Sequence, residues 1–80
     1  MKREDVFELL NDIFRDVFDD ESLTIDDETV SSDIDGWDSL EYINIINAVQ
    51  EGFQIKLPMN KVIGLQKVGD LVNLIVELKK

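Results

Sequence analysis

The chain contains no cysteine and no histidine among its 80 residues. Without cysteine there is no disulfide, no thiolate nucleophile and no thiolate metal site. Without histidine the commonest general base and the commonest metal ligand are also missing. A carboxylate pair could still act on a substrate, but it needs a cleft, and so short a chain has little room for one. These absences argue against a self-sufficient enzyme. Proline occurs once and glycine four times, and apolar residues run through the whole chain, which disfavours disorder. No apolar stretch is long enough to span a bilayer. The opening residues, MKREDVFELL, lack the apolar centre of a signal peptide, so a cytoplasmic protein is expected. Basic residues are scarce: eight Lys and Arg face eighteen Asp and Glu, for a net charge of −10. That balance opposes binding to nucleic acid or to an anionic membrane.

What is present fits one small domain spanning residues 1–80. A core of this size is marginal, but hydrophobic residues make up 44% of the chain, enough for a compact one. The acid is unevenly placed. Residues 1–40 hold fourteen acids and three bases, whereas residues 41–80 hold four acids and five bases. Asymmetry of this kind bears on partners and association rates rather than on fold.

Apolar periodicity predicts the elements. Val6, Leu9, Leu10, Ile13 and Val17 recur at helical spacing over 3–18, with Phe7, Phe14 and Phe18 widening the stripe. Residues 19–38 form a long connection with nine acids and no base, pinned by Leu23, Ile25, Val30, Ile34 and Trp37. A structureless connection of that length is uncommon unless it is functional. A second helix is predicted over 39–51, with Gly52 placed to end it. Phe53, Ile55 and Leu57 alternate with polar residues, as in an extended segment, but no partner strand exists. Pro58 suits the first turn of a short helix over 59–63, and 67–78 read as the last helix. The expected fold is an all-α, small four-helix bundle, with three longer helices, one short one and a long loop after the first.

The stretch GWDSLEY, residues 36–42, sets a lone serine at the head of the second helix. The chain offers Ser39 no base. One reading is local: Asp38 caps the helix, Glu41 completes a capping box, and Ser39 is merely the first helical residue. The protein would then be a non-catalytic acidic helical adaptor. A calcium loop is a second reading of SSDIDGWDSLEY. With Gly36 at the sixth position, however, Ser31 and Tyr42 fall where an aspartate and a bidentate glutamate are needed.

A third reading uses the whole second half of the chain. The segment DIDGWDSLEYINIINAVQEGFQIKLPMNKVIGLQKVGDLVNLI resembles the acyl carrier protein family. The likeness includes the Asp38-Ser39-Leu40 signature, then Phe53, Ile55, Leu57 and Pro58, then KVGDLVNLI in the last helix. The order of elements also fits. The resemblance implies that Ser39 carries 4′-phosphopantetheine, installed from coenzyme A by a separate phosphopantetheinyl transferase. It implies that Asp38 faces the transferase's magnesium, and that Leu40, Glu41 and Trp37 meet partner enzymes that load and transfer acyl or aminoacyl thioesters. A pocket for the acyl chain is expected between the second and short helices, lined by Ile43, Ile46, Val62 and Ile63. The protein itself would hold no metal, catalyse nothing and act as a monomer.

The chain also departs from that family. Asn44, Gln50, Lys56, Asn60 and Lys61 stand where fatty-acid carriers usually bear acid. Because complementary charge governs association rate and partner choice, a specialised carrier with its own enzymes is expected.

Overall fold

The computed structural model describes residues 1–80. It contains four α-helices: α1 (Arg3–Val17), α2 (Ser39–Phe53), α3 (Met59–Val62) and α4 (Val68–Leu78), with one 3-10 turn at Ser31–Asp33. Three are long and one is short, as the periodicity predicts. There is no strand, only an isolated antiparallel bridge between Val30 and Lys67. No helix is long and apolar enough to cross a membrane.

α1 packs against both α2 and α4. It does so through Val6, Leu10 and Phe14, spaced four residues apart on one face and all fully buried. α2 contributes Ile45, Ile46, Val49 and Phe53, and α4 contributes Val68, Leu71, Val72, Leu74 and Ile75. These side chains form one core cluster, completed by Ile25, Ile34, Leu57 and Val62.

Two sequence expectations on α2 are corrected. The helix does not stop at Gly52; it runs through Phe53 and ends at Gln54, which takes the left-handed conformation at φ 56°. Gly52 instead faces α1, where a Cβ would stand 3.1 Å from Ile13 Cδ1. Its missing side chain is a packing feature, not a stop signal. Phe53 is therefore helical, and the extended segment begins after it. Side chains close this end: Gln50 Oε1 accepts the Leu57 N–H at 2.9 Å, and Lys79 Nζ donates to the Phe53 carbonyl at 3.1 Å. The second satisfies a carbonyl that the helix end leaves free, and the first ties the extended segment back to the helix.

The long acidic connection is held at several points. Ile25 and Ile34 are buried in the core. Asn11 Oδ1 accepts the Ile25 N–H at 2.8 Å, and Arg15 Nε donates to the Leu23 carbonyl at 2.7 Å. Farther on, the loop docks onto the start of α4. The Val68 N–H donates to the Thr29 carbonyl at 2.9 Å and the Gly69 N–H to the Asp27 carbonyl at 3.2 Å. Lys67 Nζ pairs with Glu28 at 2.7 Å, and Arg3 pairs with Asp27. The loop is thus a strap across the bundle, with its acids outside and its few apolar residues inside.

Candidate functional site

The strap delivers the chain to α2 through a tight corner. Gly36 has φ +85°, a conformation that side chains disfavour, and the Trp37 N–H closes a turn onto the Ile34 carbonyl at 3.3 Å. Trp37 then plugs into an aromatic cluster. Its ring meets Phe14 edge-on at 5.3 Å between centroids, with Phe18 at 6.0 Å and Tyr42 at 6.3 Å. Phe14 on α1 and Phe18 just past its end form the seat on which the residue before Asp38 is anchored, whereas Phe7 lies under the Arg3 guanidinium, 5.6 Å from its ring centroid.

Asp38 caps α2: its Oδ1 accepts the Glu41 N–H at 2.9 Å. The reciprocal half of the expected capping box does not form. The Glu41 carboxylate accepts from Asn44 Nδ2 at 3.0 Å instead. Ser39 is exposed, and its hydroxyl makes no hydrogen bond within the chain. The Ser39 and Leu40 N–H groups also lack a protein acceptor, whereas those of Glu41 and Tyr42 are bound by Asp38. The result is a free hydroxyl beside two free N–H donors at the positive end of a helix, where an anion is favoured. That gain is about 0.3–1 kcal/mol at a surface, so it accommodates a phosphate without retaining one. A covalent bond must do the retaining.

Leu40, next in the chain, is 65% exposed, and Ile43 is 56% exposed one turn on. Met59 and Ile63, on and just after α3, are 67% and 74% exposed. Ile46 and Val62, by contrast, are core residues. Of the four residues expected to line an acyl pocket, two point outward and two are packed. The cleft that does adjoin Ser39 lies elsewhere. It measures about 320 Å³ and runs between the start of α2 (Trp37, Asp38, Ser39, Tyr42) and the approach to α4 (Lys67, Val68).

Sequence reasoning missed this cleft and the role of Tyr42 beside it. The Tyr42 hydroxyl donates to the Val62 carbonyl at 2.8 Å, tying α2 to α3. Burial pushes its phenol above its ordinary pKa. One signal was available: Tyr42 is three residues after Ser39 and so shares its helix face. Nothing local could have brought Lys67 there.

Comparison with known proteins gives this geometry its context. The family model described as the phosphopantetheine attachment site matches residues 8–75. An acyl carrier protein of Clostridium acetobutylicum is 36% identical over 70 residues, covering 88% of this chain and 91% of that protein. The solution structure of a holo acyl carrier protein from Geobacter metallireducens superposes with a TM-score of 0.85 and 38% identity, covering 91% of this chain and 84% of that one. The chain belongs to the acyl carrier protein family. It is a carrier of acyl groups on covalently attached 4′-phosphopantetheine and not an enzyme. The free hydroxyl, the two open N–H groups and the adjoining cleft fit such a group.

Proposed function

We propose that Ser39 is the residue to which 4′-phosphopantetheine is attached, and that the protein carries acyl or aminoacyl thioesters for a specialised pathway. The observation that carries the assignment is the Ser39 hydroxyl itself, exposed and unbonded at the head of α2. Ser22 Oγ is bonded to Asp20 at 2.6 Å, and Thr29 is buried with its Oγ1 on Asp26; Ser31 and Ser32 are also exposed and unbonded, but they stand in a single 3-10 turn and not at the head of an α-helix. The arm supplies a terminal thiol for the cargo thioester, which is why a chain without cysteine can do this work.

Asp38 has two tasks in this reading. One oxygen caps α2, and the carboxylate faces the transferase's magnesium during attachment, since that ion is commonly shared between a carboxylate and a substrate phosphate. The transferase supplies the base that this chain lacks. Leu40 and Glu41 meet partner enzymes, and exposed Leu40 fills an apolar pocket on them. Trp37, half-buried against Phe14, positions Asp38 and Ser39 from behind and presents only its free edge to a partner. The protein acts as a cytoplasmic monomer.

The specialised role is argued from charge. Asn44, Gln50, Lys56, Asn60 and Lys61 leave α2 and α3 nearly neutral, while the acid sits on α1 and the strap. An enzyme that docks on α2 through a basic patch would find little to attract it. Incubation with coenzyme A, magnesium and a broad-specificity transferase should add one phosphopantetheine per chain by mass spectrometry, and Ser39→Ala should abolish the gain. General fatty-acid enzymes should extend the loaded protein poorly. Efficient extension at ordinary salt would refute the specialised role, and loading that persists in Ser39→Ala would refute the site.

A further inference from the structure

We propose that Tyr42 bars the core of this carrier to its cargo, which is a short acyl group with a hydrogen-bonding substituent, held in the open cleft beside Ser39. The inference rests on Ser39 as the attachment point. The resemblance places an acyl chain tethered there between α2 and α3. Tyr42, one turn below Ser39, closes that route: its hydroxyl is bonded to the Val62 carbonyl at 2.8 Å. Its ring lies 6.3 Å from that of Trp37, which is itself braced by Phe14. Below it the space is filled, with Ile45 fully buried and Ile46 and Val62 only 7% and 3% exposed.

The cleft of about 320 Å³ lies toward α4 instead, and neither Ile46 nor Val62 lines it. Its volume is at the lower end for a small-molecule site. Its walls are mixed. Tyr42, Val68 and Leu71 give it an apolar floor, while Ser31, Gln66 and Lys67 bring a hydroxyl, a carboxamide and an ammonium. The Ser31 and Gln66 side chains make no hydrogen bond within the chain, so both are free to bind a substituent. Lys67 Nζ is steadied by Glu28 at 2.7 Å. A long saturated chain laid here would set methylenes against polar groups and solvent, and would gain little from burial. A short hydroxyacyl group would find both an apolar floor and hydrogen-bond partners.

The test loads the full chain by a broad-specificity transferase from lactoyl-coenzyme A or from octanoyl-coenzyme A, with mass spectrometry establishing attachment at Ser39. Amide NMR shifts and thermal melts are then compared with those of the unacylated holo form. The lactoyl form should shift the Gln66 and Lys67 amides. The octanoyl form should leave the Ile46 and Val62 amides unmoved and its Tm unchanged. In Tyr42→Ala the octanoyl group should gain access to the core and raise Tm by about 4–8 °C over that variant's own holo form, the scale of one substantial buried contact in a domain of this size. The wild-type comparison of the two cargoes stands even if that variant fails to fold. An octanoyl form of the wild type that melts higher and shifts Ile46 and Val62 would overturn the inference while leaving Ser39 in place. So would a folded Tyr42→Ala that gains nothing from octanoyl. Failure to load at Ser39 would remove the underlying reading, and the inference with it.

Discussion

Gly69→Ala is the sharpest test of how the strap is held. By helix propensity alone the change should help, because alanine is favoured over glycine by up to about 1 kcal/mol. The tertiary structure reverses the sign. A Cβ at position 69 would lie 2.5 Å from Asp27 Oδ1, 2.8 Å from the Asp27 carbonyl oxygen and 3.1 Å from its Cα. The carboxylate can swing aside, but the carbonyl and Cα are backbone and can move only with the loop. Moving them weakens the Gly69 N–H bond to Asp27 and the Val68 N–H bond to Thr29, each worth about 0.5–1.5 kcal/mol net. Relief of an overpacked contact typically costs about 1–3 kcal/mol. Set against the propensity gain, a net loss of about 1–3 kcal/mol is expected. For a domain of this size each kcal/mol shifts Tm by about 4–8 °C, so the melt followed by circular dichroism should fall by about 4–24 °C. Asp27→Ala alone breaks an exposed pair with Arg3, worth about 0–1 kcal/mol. Because the backbone contact survives in it, the double variant should stay close to Gly69→Ala. A Gly69→Ala protein that melts at or above the wild type would refute the reasoning, as would full rescue by Asp27→Ala.

Other substitutions separate folding from function. Asp38→Ala should lose the cap bond to Glu41, costing about 0.5–2 kcal/mol. It should also slow attachment by the transferase at temperatures where circular dichroism finds both proteins fully folded; equal rates there would confine Asp38 to capping. Phe14→Ala empties a fully buried site under Trp37, should cost about 3–5 kcal/mol, and should redden tryptophan fluorescence as Trp37 meets water. Tyr42→Phe addresses pH. Burial raises the phenol above its ordinary 10.0, so the folded state favours the neutral form. Its contribution is intact below pH 10 and is lost as pH rises through the folded value. Lys67, raised chiefly by its hydrogen bond to Glu28, weakens the fold in the same alkaline direction. The difference between wild type and Tyr42→Phe isolates the phenol: the variant should lose less stability above pH 10, and parallel curves would count against a buried neutral phenol.

Much of this was legible in the chain. Helices α1 and α4 follow from apolar residues at helical spacing, and Asp38 capping α2 follows from residue type and position. The start of α2 at Ser39, and with it the exposure of the hydroxyl, needs only those local rules. The misreadings share a cause. Gly52 carries the local mark of a helix end, but α1 lies against it and the helix continues. Phe53, Ile55 and Leu57 alternate as a strand would, yet Phe53 completes the buried face of α2. Glu41 has the spacing for a capping box, but Asn44 supplies a competing donor.

The sequence by itself determined the helices, the long acidic strap, and a serine at a helix head behind its capping aspartate, because each depends on residues a few positions apart. The tertiary structure alone decided where the strap lands and which cleft opens beside that serine. Gly69 against Asp27, Tyr42 against Val62 and Lys67 beside Ser39 join residues some 20 to 40 positions apart. Their meeting depends on how the whole core packs, and no local period records it.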